Sequence, residues 1–118
     1  MTMNGVVRGD VVEVNLDPTV GTEIKKMRPC VVVQNNVGNK HSRRTIIVPA
    51  TGAEHVAKPF AIHVPVTAGE GGFSKPSMVL CDQIRAVDKS RLVRSLGRLS
   101  SSTMGKLDAA LKISLALK

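Results

Sequence analysis

Short apolar runs that alternate on a two-residue period, each closed by glycine, proline or asparagine, fill the chain as far as Leu99 and restrict its fold more than any other feature. In Val11-Val12-Glu13-Val14-Asn15-Leu16, the side chains of Val12, Val14 and Leu16 share one face. Asp17-Pro18 ends that run, because proline restricts the residue before it and cannot continue a central ladder. Residues 20–27 are polar, include Gly21 and read as a loop. Residues 29–34 read as a buried strand, and Asn35-Asn36-Val37-Gly38-Asn39 is turn chemistry. Residues 44–50 give a third strand. Residues 60–66 alternate again, with Phe60, Ile62, Val64 and Val66 on one face. A glycine-rich hairpin loop is expected over 67–76 and a fifth strand over 78–87. Residues 89–92 read as one helical turn, followed by an edge strand over 93–99 that Arg94 and Arg98 guard against unwanted pairing.

The tail changes period. Ser100 is a candidate N-cap, and Met104, Leu107, Leu111 and Leu115 then recur on one helical face. Ile113 and Leu117 lie off that stripe, so the helix serves either the sheet alone or the sheet and a second subunit. The expected fold is mainly β: one domain over 1–118, a small SH3-like barrel of strongly bent antiparallel strands with a C-terminal α-helix. At 118 residues and 42% hydrophobic content the chain can bury a modest core. No apolar stretch is long enough to span a membrane, and Met1-Thr2-Met3-Asn4-Gly5-Val6-Val7-Arg8 lacks the apolar segment of a signal peptide. A cytoplasmic protein without a membrane partner is expected.

The formal net charge of +8 favours acidic partners. No Asp or Glu occurs from Ile24 to Ala53, where Lys25, Lys26, Arg28, Lys40, Arg43 and Arg44 fall. A second basic cluster comprises Arg85, Lys89, Arg91, Arg94, Arg98 and Lys106. These clusters form either a solvated basic surface or a phosphate-binding face. Phe60 and Phe73 are the only aromatic rings of the Phe, Tyr and Trp kind, so any RNA recognition rests on charge, hydrogen bonds and shape more than on a stacking platform.

Most catalytic patterns are missing. His41, His55 and His63 have neither metal-ligand spacing nor a surrounding carboxylate cluster, so no metal and no cofactor are expected, although two histidines in an acid–base pair stay open as an option. There is no G-x-S-x-G elbow, and the glycines at 69–72 lack the lysine of a phosphate-binding loop. Cys30 and Cys81 sit in apolar runs and read as buried reduced thiols rather than as a disulfide or a nucleophile. What remains is Gly21-Thr22-Glu23-Ile24-Lys25-Lys26-Met27-Arg28-Pro29, a polar loop that feeds into a buried strand. Arg28 at that boundary either anchors a phosphate with its planar fork or pairs with a local carboxylate such as Glu23.

These residues and their order along the chain resemble the MazF/PemK/Kid toxins, which are endoribonucleases. The similarity starts at Arg8-Gly9-Asp10-Val11-Val12 and continues through Asn15-Leu16-Asp17-Pro18, Gly21-Thr22-Glu23 and Arg28-Pro29-Cys30-Val31-Val32-Val33-Gln34-Asn35-Asn36. It resumes at Ile47-Val48-Pro49-Ala50-Thr51, has its longest block from Val79-Leu80-Cys81-Asp82-Gln83-Ile84-Arg85 to Arg91-Leu92, and ends in Ala109-Ala110-Leu111-Lys112-Ile113-Ser114-Leu115. The resemblance implies a homodimer that cuts single-stranded RNA at short sequences, and a cognate antitoxin that blocks the site with an acidic tail. Arg28 matches the family's catalytic arginine and Thr51 its catalytic threonine or serine. Thr22 and Glu23 match the loop that closes over RNA, with Lys25 and Lys26 beside them. Ser77, Gln83 and Arg85 fall where the family contacts RNA. Asn36 stands where many members carry an acidic residue, and Lys25-Lys26 replace smaller or neutral residues. Both departures add positive charge and bear on the sequence recognised rather than on the reaction.

Metal-free RNA cleavage uses the neighbouring 2′-hydroxyl as nucleophile and leaves a 2′,3′-cyclic phosphate and a 5′-hydroxyl, the products the resemblance implies. The site must take the 2′ proton, stabilise the extra phosphoryl charge and protonate the leaving oxygen. Arg28 suits the second of these roles and is a poor base, since an arginine pKa is roughly 12.5 or higher. Thr51 can hydrogen-bond a phosphate oxygen. Glu23 is the nearest carboxylate in sequence and a candidate proton acceptor. Two other readings compete: a basic SH3-like module that binds RNA without cutting it, and a toxin of related fold that poisons a topoisomerase by contacts alone.

Overall fold

The structure, a computed structural model, describes residues 5–118. The first four residues of the expected 1–118 domain, part of the N-terminal stretch read above, lie outside the described residues. The alternating runs become strands β1 (Asp10–Asn15), β2 (Met27–Val32), β3 (Arg44–Gly52), β4 (His63–Val66), β5 (Ser77–Leu80), β6 (Arg85–Asp88) and β7 (Leu92–Arg98). Helix α1 (Asn36–His41) joins β2 to β3, and helix α2 (Ser101–Ser114) closes the chain. Every pairing is antiparallel, in the order β4-β5-β3-β2-β1-β7, with β6 also on β3. Val11 of β1 packs in the same core as Val64 and Val66 of β4, far along that order, so the sheet curls back on itself. Its two ends do not pair, so the barrel expected from sequence is a bent, open sheet.

Alternation along the strands gives the sheet two apolar faces. Val11, Val31, Val48 and Ala50 enter one core with Phe73, Leu99, Leu107 and Ala110, under α2. Val12, Val14, Cys30, Val32 and Ile47 enter a second core with Leu16, Val87 and Leu92. The stripe on α2 is anchored by Leu107, which is fully buried, and Ser100 caps the helix by accepting a hydrogen bond from Thr103 N–H. Arg8 ties α2 to the sheet through Val33 O and the Asp108 carboxylate. Among the described residues no helix is long and apolar enough to cross a membrane.

Three elements differ from the sequence reading. The turn expected at 35–39 is a short helix, because Asn35 uses its side chain as an N-cap for Gly38 N–H. Asn39 on this helix is buried and fully engaged: its Oδ1 accepts from Thr45 Oγ1 at 2.7 Å, its Nδ2 donates to Gln34 O, and its carbonyl accepts from the buried Lys89 ammonium. The alternation at 60–66 is a strand only over β4; Phe60 lies outside, exposed, with its ring edge-on to His63. The strand expected over 78–87 is two strands. β5 pairs with Ala50–Gly52 and β6 with Arg44–Ile47, and the break falls opposite Val48 and Pro49, where proline has no N–H for a continuous ladder.

Cys30 and Cys81 are free and belong to the two different cores, on opposite faces of the sheet. Burial pushes each thiol up from its ordinary 9.0 to about 12. Above pH 9.0 the unfolded chain loses thiol protons that the folded chain keeps, so this contribution to stability is complete below that pH and is lost as the pH rises toward 12. Urea unfolding across that window is expected to show stability falling less steeply with pH in Cys81→Ala than in the wild type; equal slopes would show that thiol burial does not set the slope.

Candidate active site

β2 and β3 pair only over Cys30–Val32, with Cys30 opposite Pro49 and Val32 opposite Ile47. Beyond Cys30, β2 stays with β1, and β3 turns to β5. The sheet therefore forks. Continuing the register by two residues sets Arg28 opposite Thr51. The alternation that sends Cys30 and Ile47 into the second core places both side chains on that face. A cavity of about 350 Å³ occupies the fork and is lined by Arg28, Pro29, Thr51, Gly52 and Ser77. Backbone that leaves its ladder at a fork has polar groups and side chains free to meet a ligand.

The loop before β2 is held by side chains that bond its backbone. Asp17 Oδ1 accepts from Lys26 N–H at 3.1 Å, and Gln83 Oε1 accepts from Ile24 N–H at 2.8 Å. Leu16 N–H donates to Lys26 O, while Arg85 Nη1 donates to Leu16 O at 2.7 Å. Lys26 takes a φ of 72°, and Gly21 takes 61°, a left-handed conformation natural to glycine. The result fixes Arg28: its Nε donates to Lys25 O at 3.0 Å. Of the two partners the sequence left open for Arg28, Glu23 is not bound to it among the described residues. Glu23 Oε1 instead accepts Val20 N–H at 2.5 Å.

The structure thus brings Arg28, Thr51 and Ser77 to one cavity, and Glu23, Gln83 and Arg85 to a second, of about 200 Å³. Pro49 of β3 lines the second cavity and Ala50 the first, so one strand passes beneath both. Thr22, Lys25 and Lys26 are exposed on the loop, and Ser77 is buried with its hydroxyl donating to Lys75 O. Sequence reasoning missed Glu13 and Lys75 of the fork; it placed Arg94 only in a basic cluster and His55 only among the histidines of an optional acid–base pair. His55 follows β3 on a 3-10 turn, Ala53–His55, with Nε2 3.3 Å from Glu54 Oε1. Lys75 holds the same Glu54 oxygen at 2.8 Å, and that hydrogen bond is the main cause of a lowered Glu54 pKa. Among the described residues no group of three His, Cys, Asp or Glu side chains is placed to hold a metal ion.

Chemically, the fork offers a guanidinium and a hydroxyl opposite one another, with further cations at the rim. That arrangement suits a phosphodiester that gains charge as it reacts. The loop's order depends on Gln83, so Gln83→Ala is expected to speed hydrogen exchange at the Ile24 amide while exchange in β1 is unchanged. Equal protection of Ile24 in both proteins would show that Gln83 does not hold the loop.

Comparison with known proteins identifies the family of the chain. A family profile described as PemK-like, MazF-like toxin of type II toxin–antitoxin system matches residues 7–115. Endoribonuclease EndoA of Bacillus subtilis (strain 168) is 42% identical over 112 residues, which cover 95% of this chain and 96% of that protein. Among solved structures, Mycobacterium tuberculosis toxin MazF-mt6 is similar with a TM-score of 0.77 at 26% identity, covering 92% of this chain and 98% of that one. An endoribonuclease from a mycobacterial species, solved in complex with its cognate antitoxin, shares the fold with a TM-score of 0.79 at 24% identity, covering 97% and 98%. The chain belongs to the PemK-like, MazF-like toxin family of type II toxin–antitoxin systems.

Proposed function

We propose that this protein is a sequence-specific, metal-independent endoribonuclease that cuts single-stranded RNA at the fork between β2 and β3. The relative that it matches at 42% identity over nearly all of both chains is named an endoribonuclease. The observation that carries the site assignment is the meeting of Arg28 and Thr51, distant in sequence, at one cavity.

The 2′-hydroxyl beside the scissile phosphate attacks phosphorus, the bond to the 5′ oxygen breaks, and the products are a 2′,3′-cyclic phosphate and a 5′-hydroxyl. Arg28, braced by Lys25 O, supplies charge and paired donors to the phosphoryl oxygens as the extra negative charge develops. Thr51 donates its hydroxyl to the same group. The loop at 20–26, with Thr22, Glu23, Lys25 and Lys26, lies along the RNA, and Gln83 and Arg85 set its position from beneath while Ser77 closes the fork. Glu23 is the loop's candidate proton acceptor, and reaching the fork requires it to release Val20 N–H.

The partners follow from charge and exposure. A net charge of +8 suits RNA, and it suits the acidic tail of a cognate antitoxin that competes for the same surface. The exposed Ile113, Leu115 and Leu117 at the end of α2 give an apolar surface fit for a second copy of the chain, which supports a homodimer.

Wild-type protein incubated with long single-stranded RNA in EDTA is expected to cut at specific sites and leave 5′-hydroxyl ends. Arg28→Ala is expected to fold normally and to cut at least about a hundredfold more slowly, in line with loss of an oxyanion-type donor. Undiminished cutting by Arg28→Ala would remove the site assignment, and RNA left intact by the wild type would remove the enzymatic reading.

A further inference from the structure

The cations of the acid-free stretch from Ile24 to Ala53 do not stay together in the fold. Because β2 and β3 run antiparallel, Lys25, Lys26 and Arg28 fall at the fork end of the pair, and Lys40, Arg43 and Arg44 fall at the opposite end, around α1. Arg44 and Thr51 stand near the two ends of β3, roughly 23 Å apart at the rise of a strand. Lys40, Arg43 and Arg44 are exposed, and none makes an ion pair among the described residues. The carboxylate beside them, Asp88, stands opposite Arg44 in the β3–β6 ladder and is already engaged. It accepts Ser90 N–H at 2.8 Å, and its hydrogen bonds with Ser90, ahead of the charges of Arg43 and Arg44, hold its carboxyl below the ordinary range. The backbone under the patch is pinned. Ser42 Oγ accepts from Arg44 N–H at 3.0 Å, Gln34 Nε2 donates to Arg44 O at 3.1 Å, and Lys89 N–H donates to Arg43 O at 2.8 Å. The buried Lys89 ammonium donates to Asn39 O, which fixes α1 next to Lys40 and adds positive charge beneath the surface. Two planar guanidinium forks on a fixed backbone, without carboxylate partners, are placed to take phosphate oxygens.

We propose that Lys40, Arg43 and Arg44 form a second RNA-backbone site, remote from the fork, that holds the substrate strand outside the segment being cut. A long RNA carries a phosphate at every nucleotide on both sides of the cut, so its strand has charge to offer beyond the fork. This site reads no base: cations that meet phosphates raise affinity and position the strand without selecting sequence. A strand engaged at the fork presents its flanks to the patch at a high effective concentration, so a few cations tighten long RNA while holding free RNA only weakly. The inference rests on the reading of this chain as an endoribonuclease. The competing occupant of such a patch is an acidic protein tail.

The test compares two RNAs that share one cut site: the shortest oligonucleotide that is cut, and the same sequence within long unstructured flanks. The wild type is set beside the triple variant Lys40→Gln, Arg43→Gln, Arg44→Gln and beside Arg43→Lys, Arg44→Lys, which keeps the charge. On the flanked RNA at low salt, the glutamine variant is expected to raise KM at least about tenfold with kcat unchanged, and to flatten the slope of log KM against log salt by about two, the counterion release of three single-strand phosphates. Cutting of the short oligonucleotide is expected to be the same in all three proteins, which also reports that the variants fold. The lysine variant is expected to keep most of the wild-type KM on the flanked RNA, as a role carried by charge requires. Equal KM and equal salt slope in the wild type and the glutamine variant would overturn the second site while leaving RNA cleavage standing. An equal loss on both RNAs would overturn it too, since the effect would then act at the fork. Weaker binding of a polyglutamate peptide by the glutamine variant, with KM for the flanked RNA unchanged, would overturn it in favour of an acidic protein partner. A wild type that cuts neither RNA would overturn the enzymatic reading on which the site depends.

Discussion

The pairing of β2 with β3 stops at Cys30 and Pro49, and the rest of the site depends on that stop. Up to this point the strands share a ladder and bury valines on both faces. Beyond it, β2 is committed to β1 by its register with Glu13 and Val14, and β3 is committed to β5 by its register with Met78 and Ser77. Each strand keeps the partner on its other edge while the two diverge from one another. A cleft opens between two well-buried strands, and Arg28 and Thr51 stand on its two sides. The rigidity of the cleft comes from fully buried residues one step behind it, such as Val31, Val48 and Ala50. A rigid frame that presents polar residues at strand ends is what a reaction requiring close positioning needs.

The loop over 20–26 is tethered differently. It buries little, and it and the turn leading into it are held by individual bonds from Asp17, Gln83 and Arg91 to backbone groups. Bonds of this kind contribute about 1 kcal/mol each, so the loop is the part of the site with the lowest cost of opening. The residues that the family resemblance assigns to RNA contact, Gln83 and Arg85, also hold the resting loop. An RNA strand that engages them would exchange internal hydrogen bonds for external ones, which couples loop movement to binding.

Much of the strand layout was legible because period-2 alternation reports a buried sheet face directly. β1 to β3 and the N-cap at Ser100 follow from adjacent residues. The break between β5 and β6 did not, because 78–87 carries apolar residues on both sides of Cys81 and the reason for the break lies across the sheet, at Pro49. α1 was hidden because Asn35 serves a turn and a helix cap equally well. Arg28 stood out beside Pro29, and Thr51 came from the resemblance. Glu13 and Lys75 escaped, and Arg94 and His55 were not joined to Arg28, because the four come together only through β1–β7 pairing and the 3-10 turn after β3. In the linear sequence Glu13 is an ordinary polar position between valines.

The central claim is that Arg28 and Thr51 act together on one phosphate across the fork. Single-turnover cleavage by Arg28→Ala, Thr51→Ala and the double variant tests this directly, since residues that act as a unit show strongly non-additive losses. The geometry predicts that the double variant is no more than a few-fold slower than the slower single variant. Losses that multiply, as for two independent sites, would contradict it.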